Sequence, residues 1–398
     1  MMQSILGKPI VGFLLLAMAG SLLWYGVSAN RIAAKDVEFW RKHPSVRMFP
    51  EVLVMEGNLS YFVDLDVVKA SELYREAIAK QPLMIDAWLA LARAELARGN
   101  AEEAHRILDT LAPLIAHVST WKWQELLLSY DLKDEKRFAD SYNFILLRLP
   151  NRIKEACYLA VKFWKGWGSI LPHLTSESQL AFLIQLMQVR EVDVALALWE
   201  TMLQGRDTPD RDFKVRFCQF LLDNNRLEQA EKIWAAVRGD GLSAVYDGGF
   251  EQKPLNTAMG WRFNRHPEVS VERSLEAPYD GSFCLHLHFF GRANVSFDHV
   301  SQIIPVEPSR TYALTFARKS RNLTTDQGVF IQVSGYGCKG LQVTSEPLNG
   351  SSPWKEEELT VPVPDGCRAV MVKVRRRESL MFDNKIAGDY WLDALELK

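Results

Sequence analysis

The residues of this sequence best suited to chemistry lie in FCLHLHFF, residues 283–290, and in the short runs after it. Alternate residues of a β-strand share a face, so Phe283, Leu285, Leu287 and Phe289 form one side and Cys284, His286, His288 and Phe290 the other. The first side is apolar enough to be core, which turns His286, His288 and Phe290 outward. With Arg292, Arg318, Gln332 and Tyr336 they make a set of ring faces and planar polar groups. Such a set suits carbohydrate, because rings stack on the apolar faces of pyranoses while amide, imidazole and guanidinium groups meet hydroxyls. An ordinary solvated strand face would use the same residue types. His286, His288 and His299 have no carboxylate or cysteine at a diagnostic spacing, so they read as surface histidines rather than metal ligands. No nucleophile elbow, phosphate loop or metalloprotease motif occurs, and the expectation is a protein that is not an enzyme. A pair of glycosidase carboxylates is set by distance in space, which sequence does not give.

The elements that must position these residues divide the chain in two. Ala70, Tyr74 and Ala77 recur as Ala104, Leu108 and Leu111 and again as Phe138, Tyr142 and Ile145, each step being 34 positions. WLALARAELARG places Trp88, Leu91, Ala92 and Leu96 on one stripe, Gly99 and Asn100 make a turn, and AEEAHRIL opens a second amphipathic helix. A single helical pair cannot bury its apolar face, so neighbouring pairs must stack. The pattern loosens through KFWKGWGSILPHL, as a degenerate repeat or a bend, and returns with Ala195, Trp199 and Met202 followed by Ala230, Trp234 and Val237. About five or six helical pairs are expected between roughly residues 50 and 238. Trp121, Trp123, Trp164 and Trp167 read as repeat core rather than a ligand groove. Beyond Gly239 short alternating runs separated by turn residues predict a β-sandwich, with a jelly roll as its architecture.

Both halves carry resemblances. The 34-residue period, with Pro82 and Pro150 at matching helix ends, resembles tetratricopeptide repeats. DGGFEQ (247–252), Gly260-Trp261, YDGSFCLHL, SQIIPVEPSRTYALTFARKS, SPWKEEELTVPVP and DYWLDALELK stand in the order seen in galactose-binding-like carbohydrate-binding modules. That likeness covers almost all of residues 245–398. It implies that Trp261, Trp354 and Trp391 are core. It also implies that Glu251 and Asp393 meet at a structural calcium with Asp280 or loop carbonyls beside them, the alternative being carboxylates bound to turn amides.

Residues 10–27 carry no charge and would reach about 27 Å as a helix, close to the thickness of a bilayer's hydrocarbon core. An N-terminal transmembrane anchor is expected, although Val27, Ser28 and Ala29 resemble a cleavage site. Lys8 precedes the run while Arg31, Lys35, Arg41, Lys42 and Arg47 follow it, which favours a cytoplasmic bulk; large domains translocate largely regardless of charge, and an exported, periplasmic location is the expectation. The net charge of −2 offers no basic surface for nucleic acid. Five cysteines leave room for one disulfide among Cys284, Cys338 and Cys367, or for buried free thiols.

The expected fold is thus a multidomain α + β chain: a membrane segment over 1–29, an α-solenoid over 30–240 and an antiparallel β-sandwich over 241–398. The expected function is a membrane-anchored scaffold that holds a protein partner on its repeats and a polysaccharide on its jelly roll, in exopolysaccharide or cell-envelope assembly. The alternative is a pure protein-interaction scaffold whose sandwich binds no sugar.

Overall fold

A computed structural model describes residues 7–205, 209–239, 243–382 and 384–398, with side chains from residue 16 onward. It separates into two compact units, Met1–Gly205 and Arg206–Lys398.

In the first unit, helices α1 (Gly7–Ala33) and α2 (Val37–Lys42) precede a series of antiparallel pairs: α3 (Pro50–Phe62) with α4 (Val67–Lys80), α5 (Ile85–Ala97) with α6 (Ala101–Ile115), and α7 (Ser119–Leu132) with α8 (Glu135–Arg148). The nine residues that recur every 34 positions are each at most 1% exposed, so the sequence period is the period of the core. Two of the second helices, α4 and α8, start where an acidic side chain caps them. Asp66 accepts from the amide of Lys69 at 3.0 Å and Asp134 from that of Arg137 at 3.1 Å, satisfying donors that an α-helix leaves over at its N-terminus. Gly57 lets α3 and α4 close up, since a Cβ there would lie 2.5 Å from the Tyr74 ring.

The loosened stretch is a pair that has lost its second helix. After α9 (Ile153–Trp164), Lys165 turns left-handed and a 3-10 helix, Gly168–His173, leads into α10 (Ser176–Val189) and α11 (Val192–Gln204). Asn143 of α8 holds this detour: its amide donates to the carbonyl of His173 at 2.8 Å and its Oδ1 accepts from the Thr175 amide at 3.0 Å. The four tryptophans are half-buried packing residues. Trp164 stacks on His173 at 4.3 Å, and Trp121 donates to Asp86 at 2.9 Å.

The expected spanning segment falls partly on residues 10–15, whose side chains lie outside the described residues. Among the described residues no helix is long and apolar enough to cross a membrane, which corrects the expectation of a transmembrane helix as far as the described part of α1 reaches.

The second unit opens with α12 (Arg211–Asp223) and α13 (Leu227–Arg238), continued by the β-sandwich. Its ten strands are β1 (Arg262–Phe263), β2 (Val269–Ser274), β3 (Cys284–Phe290), β4 (Phe297–Pro305), β5 (Thr311–Leu323), β6 (Phe330–Gly335), β7 (Gln342–Thr344), β8 (Gly350–Pro362), β9 (Ala369–Arg376) and β10 (Ala387–Leu397). They form two five-stranded sheets in the orders β1-β4-β9-β6-β7 and β2-β3-β10-β5-β8, with antiparallel pairing throughout. Leu285, Leu287, Phe289, Tyr390 and Leu392 from one sheet meet Ile331, Val333, Val370, Val372 and Val374 from the other in a single core.

The opening and closing motifs lie side by side. Gly248 accepts from the Leu395 amide at 3.0 Å, and a Cβ on it would collide with the Leu395 carbonyl. Trp261 is core and donates its indole N–H to the carbonyl of Asp247 at 3.0 Å. Gln219 of α12 ties the helical pair to the sandwich. Its Oε1 accepts from the Ala258 amide at 2.7 Å, Arg262 Nη2 at 3.0 Å and Thr257 Oγ1 at 3.2 Å. Cys338 and Cys367 form a disulfide across 29 residues with Cα atoms 5.3 Å apart, and Cys284 is a buried free thiol.

Candidate functional site: the outer face of the β3–β10 sheet

Strand alternation on β3 and β10 sets out the site. Leu285, Leu287, Tyr390 and Leu392 face the core, so His286, His288, Phe290, Asp389, Trp391 and Asp393 face outward. The ladder pairs His288 with Asp389 and His286 with Trp391. On the far side of β10 it pairs Asp389 with Arg321 and Trp391 with Lys319.

Asp389 is the hub. Its Oδ1 lies 3.0 Å from His286 Nε2 and 2.8 Å from His288 Nδ1, and its Oδ2 accepts from Arg321 Nε at 3.2 Å and Nη2 at 3.0 Å. Burial works against its ionisation, yet the hydrogen bonds from His288, His286 and Arg321 outweigh burial and hold the carboxyl below the usual carboxylate range. Glu272 reaches His286 Nδ1 at 3.3 Å and Glu276 accepts from Arg321 Nη1 at 3.2 Å, which extends the network to five charged groups and two imidazoles counting Lys319. Beneath it Trp391 is fully buried. His286 covers its face, and Lys319 and Arg321 sit 4.9 and 5.0 Å from the ring centroid.

Open aromatic surface flanks the network on both sides. Phe290 is 40% exposed, packs edge-on to His288 at 5.5 Å and carries the Arg292 guanidinium 5.3 Å from its centroid. At the other end Tyr279, whose amide donates to Asp393 Oδ2 at 2.8 Å, lies 5.7 Å from Trp354. Trp354 is half-buried there and donates to the Ala277 carbonyl at 2.9 Å, rather than joining the core as the likeness implied. The face therefore offers exposed rings at its ends and planar hydrogen-bonding groups between them.

The structure brings together four of the seven groove candidates: His286, His288, Phe290 and Arg292. Arg318 is inside the sandwich, 2% exposed, donating to Glu357 at 2.5 Å and to the Glu346 carbonyl at 2.7 Å. Gln332 is on β6 of the other sheet and accepts from Arg375 at 2.6 Å, while Tyr336 lies just past that strand. Sequence reading passed over Asp389, Arg321, Glu272 and Tyr279. The alternation of Asp389, Trp391 and Asp393 in DYWLD was the available signal.

Glu251, Asp280 and Asp393 gather around one turn. Glu251 Oε1 accepts from the amides of Ser282 at 2.7 Å and Phe283 at 3.0 Å, and Asp393 Oδ2 from those of Tyr279 and, at 3.1 Å, Asp280. Among the described residues no group of three His, Cys, Asp or Glu side chains is placed to hold a metal ion.

With this geometry in place, comparison with known proteins adds the following. The tetratricopeptide repeat family matches residues 66–117. The match spans α4 to α6, within a longer run of helical pairs. No curated protein matches the sequence. Solved structures similar to this chain include a family 61 carbohydrate-binding module in complex with β-1,4-galactotriose, at 18% identity over 40% of this chain and 99% of that one, with a TM-score of 0.28. A xylan-binding family 22 module from Paenibacillus barcinonensis gives 13% identity over 38% and 90%, with a TM-score of 0.25. The enzymatically active domain of bacteriophage CBA120 tailspike protein 4 gives 15% identity and a TM-score of 0.28 over 39% of this chain, which spans only 21% of that domain.

Proposed function

We propose that this chain is a non-enzymatic adaptor that holds a protein partner on its helical repeats and binds polysaccharide on the outer face of the β3–β10 sheet. The observation that carries the reading is the continuous face from Phe290 through His288, His286, Asp389 and Arg321 to Tyr279 and Trp354. Rings supply stacking faces, and the planar charged groups between them are already oriented by one another, so little side-chain freedom remains to be lost when hydroxyls bind. Leu127, Tyr158, Leu180 and Ile184 are exposed on the repeat helices and supply apolar contacts for a protein partner.

A role in cell-envelope or exopolysaccharide assembly is part of the proposal. The Cys338–Cys367 disulfide supports an oxidising compartment, and the uncharged run of residues 10–27 supports delivery to or across a membrane. The test is binding of the full chain to a panel of bacterial polysaccharides, repeated with Phe290→Ala and Arg321→Ala. Saturable binding weakened by both substitutions supports the reading. Absence of binding by well-folded protein leaves the pure protein-interaction scaffold.

A further inference from the structure

A cavity of about 350 Å³ lies within the second unit, where α13 meets the sandwich. Glu231, Trp234, Ala235 and Arg238 line one wall, and their spacing of three, four and seven positions puts them on a single face of α13. Val306 after β4, Tyr312 of β5 and Leu397 of β10 face them. The size is that of a small-molecule site. Charged groups at the sandwich rim are already committed: Arg310 Nη1 donates to Glu307 at 3.2 Å, and Lys398 Nζ is paired with Glu396. The two charged groups of α13 are not. Among the described residues Glu231 has neither a hydrogen bond nor an ion pair, and burial lifts its carboxyl above the usual range against the opposing pull of Arg368 and Arg238. Arg238 spends Nη1 on the Ser243 carbonyl at 2.9 Å, while its Nε is buried without an acceptor. The Tyr312 hydroxyl accepts from the Glu307 amide at 2.9 Å, which leaves the phenolic proton free to donate. Buried polar groups left unpaired cost stability, and a ligand that completes them recovers that cost on binding.

We propose that this cavity binds a short peptide with free ends, its ammonium meeting Glu231 and its carboxylate meeting Arg238. The open valences have opposite sign, so a simple anion satisfies one and is repelled by the other, as is a simple cation. A zwitterion satisfies both. Seven positions along α13 separate the two residues by about 10 Å, and two or three peptide residues span about 7–10 Å. Between the charged ends Trp234, Val306 and Leu397 are buried apolar walls for small side chains, and Tyr312 offers its proton to a peptide carbonyl.

The test titrates the full chain by calorimetry with trialanine, acetyl-trialanine and trialanine amide. Saturable binding of the free peptide is expected, with each blocked form at least about tenfold weaker because one charge-assisted pair is lost. Glu231→Gln keeps the side-chain volume and removes the charge. It is expected to weaken the free peptide about tenfold and to leave the acetylated peptide, which has no ammonium, as weak as before. That contrast separates a lost ion pair from a damaged cavity. Should the variant's melting midpoint show that it fails to fold, the three peptides on wild type decide alone. Blocked peptides that bind wild type as well as the free one, or a folded Glu231→Gln chain that binds trialanine as wild type does, would overturn the proposal. Folded wild-type chain that binds none of the three would overturn it too.

Discussion

The imidazole of His286 lies flat on the indole of Trp391, with ring centroids 4.8 Å apart and planes 11° from parallel. Because Trp391 is fully buried beneath that imidazole and two cationic side chains, its face is closed to ligand. Phe290, at the edge of the same face, is 40% exposed and keeps its ring open to solvent.

Truncating these two rings therefore has opposite consequences. Trp391→Ala is expected to cost about 3–5 kcal/mol of stability, as for other buried tryptophans. Phe290→Ala is expected to leave the melting midpoint nearly unchanged and to lower polysaccharide affinity about tenfold, a stacking contact being worth roughly 1 kcal/mol or more. Thermal melts with glycan titrations on both variants read the contrast.

Asp389→Asn separates pH from packing. The folded-state pKa of Asp389 lies below its ordinary value of about 3.9, so its ionisation stabilises the fold above that pH and the contribution is lost as pH falls through the lower folded value. The variant is expected to be less stable by about 1–3 kcal/mol near neutrality, where the charge and one of the two oxygens that serve His286, His288 and Arg321 are lost. Chemical denaturation from pH 7 downward is expected to show that difference shrinking below about pH 4.

Gln219→Ala tests the link between α12 and the sandwich. One amide oxygen serves three donors, and its removal leaves the buried Ala258 amide unpaired, at an expected cost of about 1–3 kcal/mol. By the same argument a fragment starting at residue 206 is expected to melt above one starting at residue 241. Parallel melts of the two fragments settle the comparison.

Replacing both Cys338 and Cys367 by Ser is expected to destabilise the second unit by about 3–4 kcal/mol, the chain-entropy value for a cross-link spanning 29 residues. Wild type with reductant is expected to match the variant, and wild type without it to be the more stable. Equal denaturation midpoints for all three would argue against the bridge.

The helical half was legible because its signal is local and repeated: a residue every 34 positions, each landing in the core. The sandwich was legible as alternation and turns. The site was only partly so. Alternation correctly turned His286, His288 and Phe290 outward, but their partner Asp389 lies more than 100 positions away, and only the assembled sheet brings it alongside. Arg318 alternates with the core residues Tyr312, Leu314 and Phe316 and was misplaced because a guanidinium was expected to stay in solvent; its partners Glu357 and the Glu346 carbonyl, which let it be buried, come from other parts of the sequence. Gln332 does alternate with the core residues Ile331 and Val333, yet on the opposite sheet; sheet membership is not written in a strand's own residues. Among the three cysteines of the β half, adjacency in space selected Cys338 and Cys367.

Arg376 gives the loop end of the sandwich a mechanical character. One guanidinium reaches Asn294 and Val295, Thr325 and Gln327, and Asn384, so three segments far apart in sequence hang from a single side chain. Such segments cannot open one at a time without stranding a buried charge. Their amides belong to one cooperative opening unit, and a disturbance at any of the three loops is shared by the other two as strain on a common hinge pin.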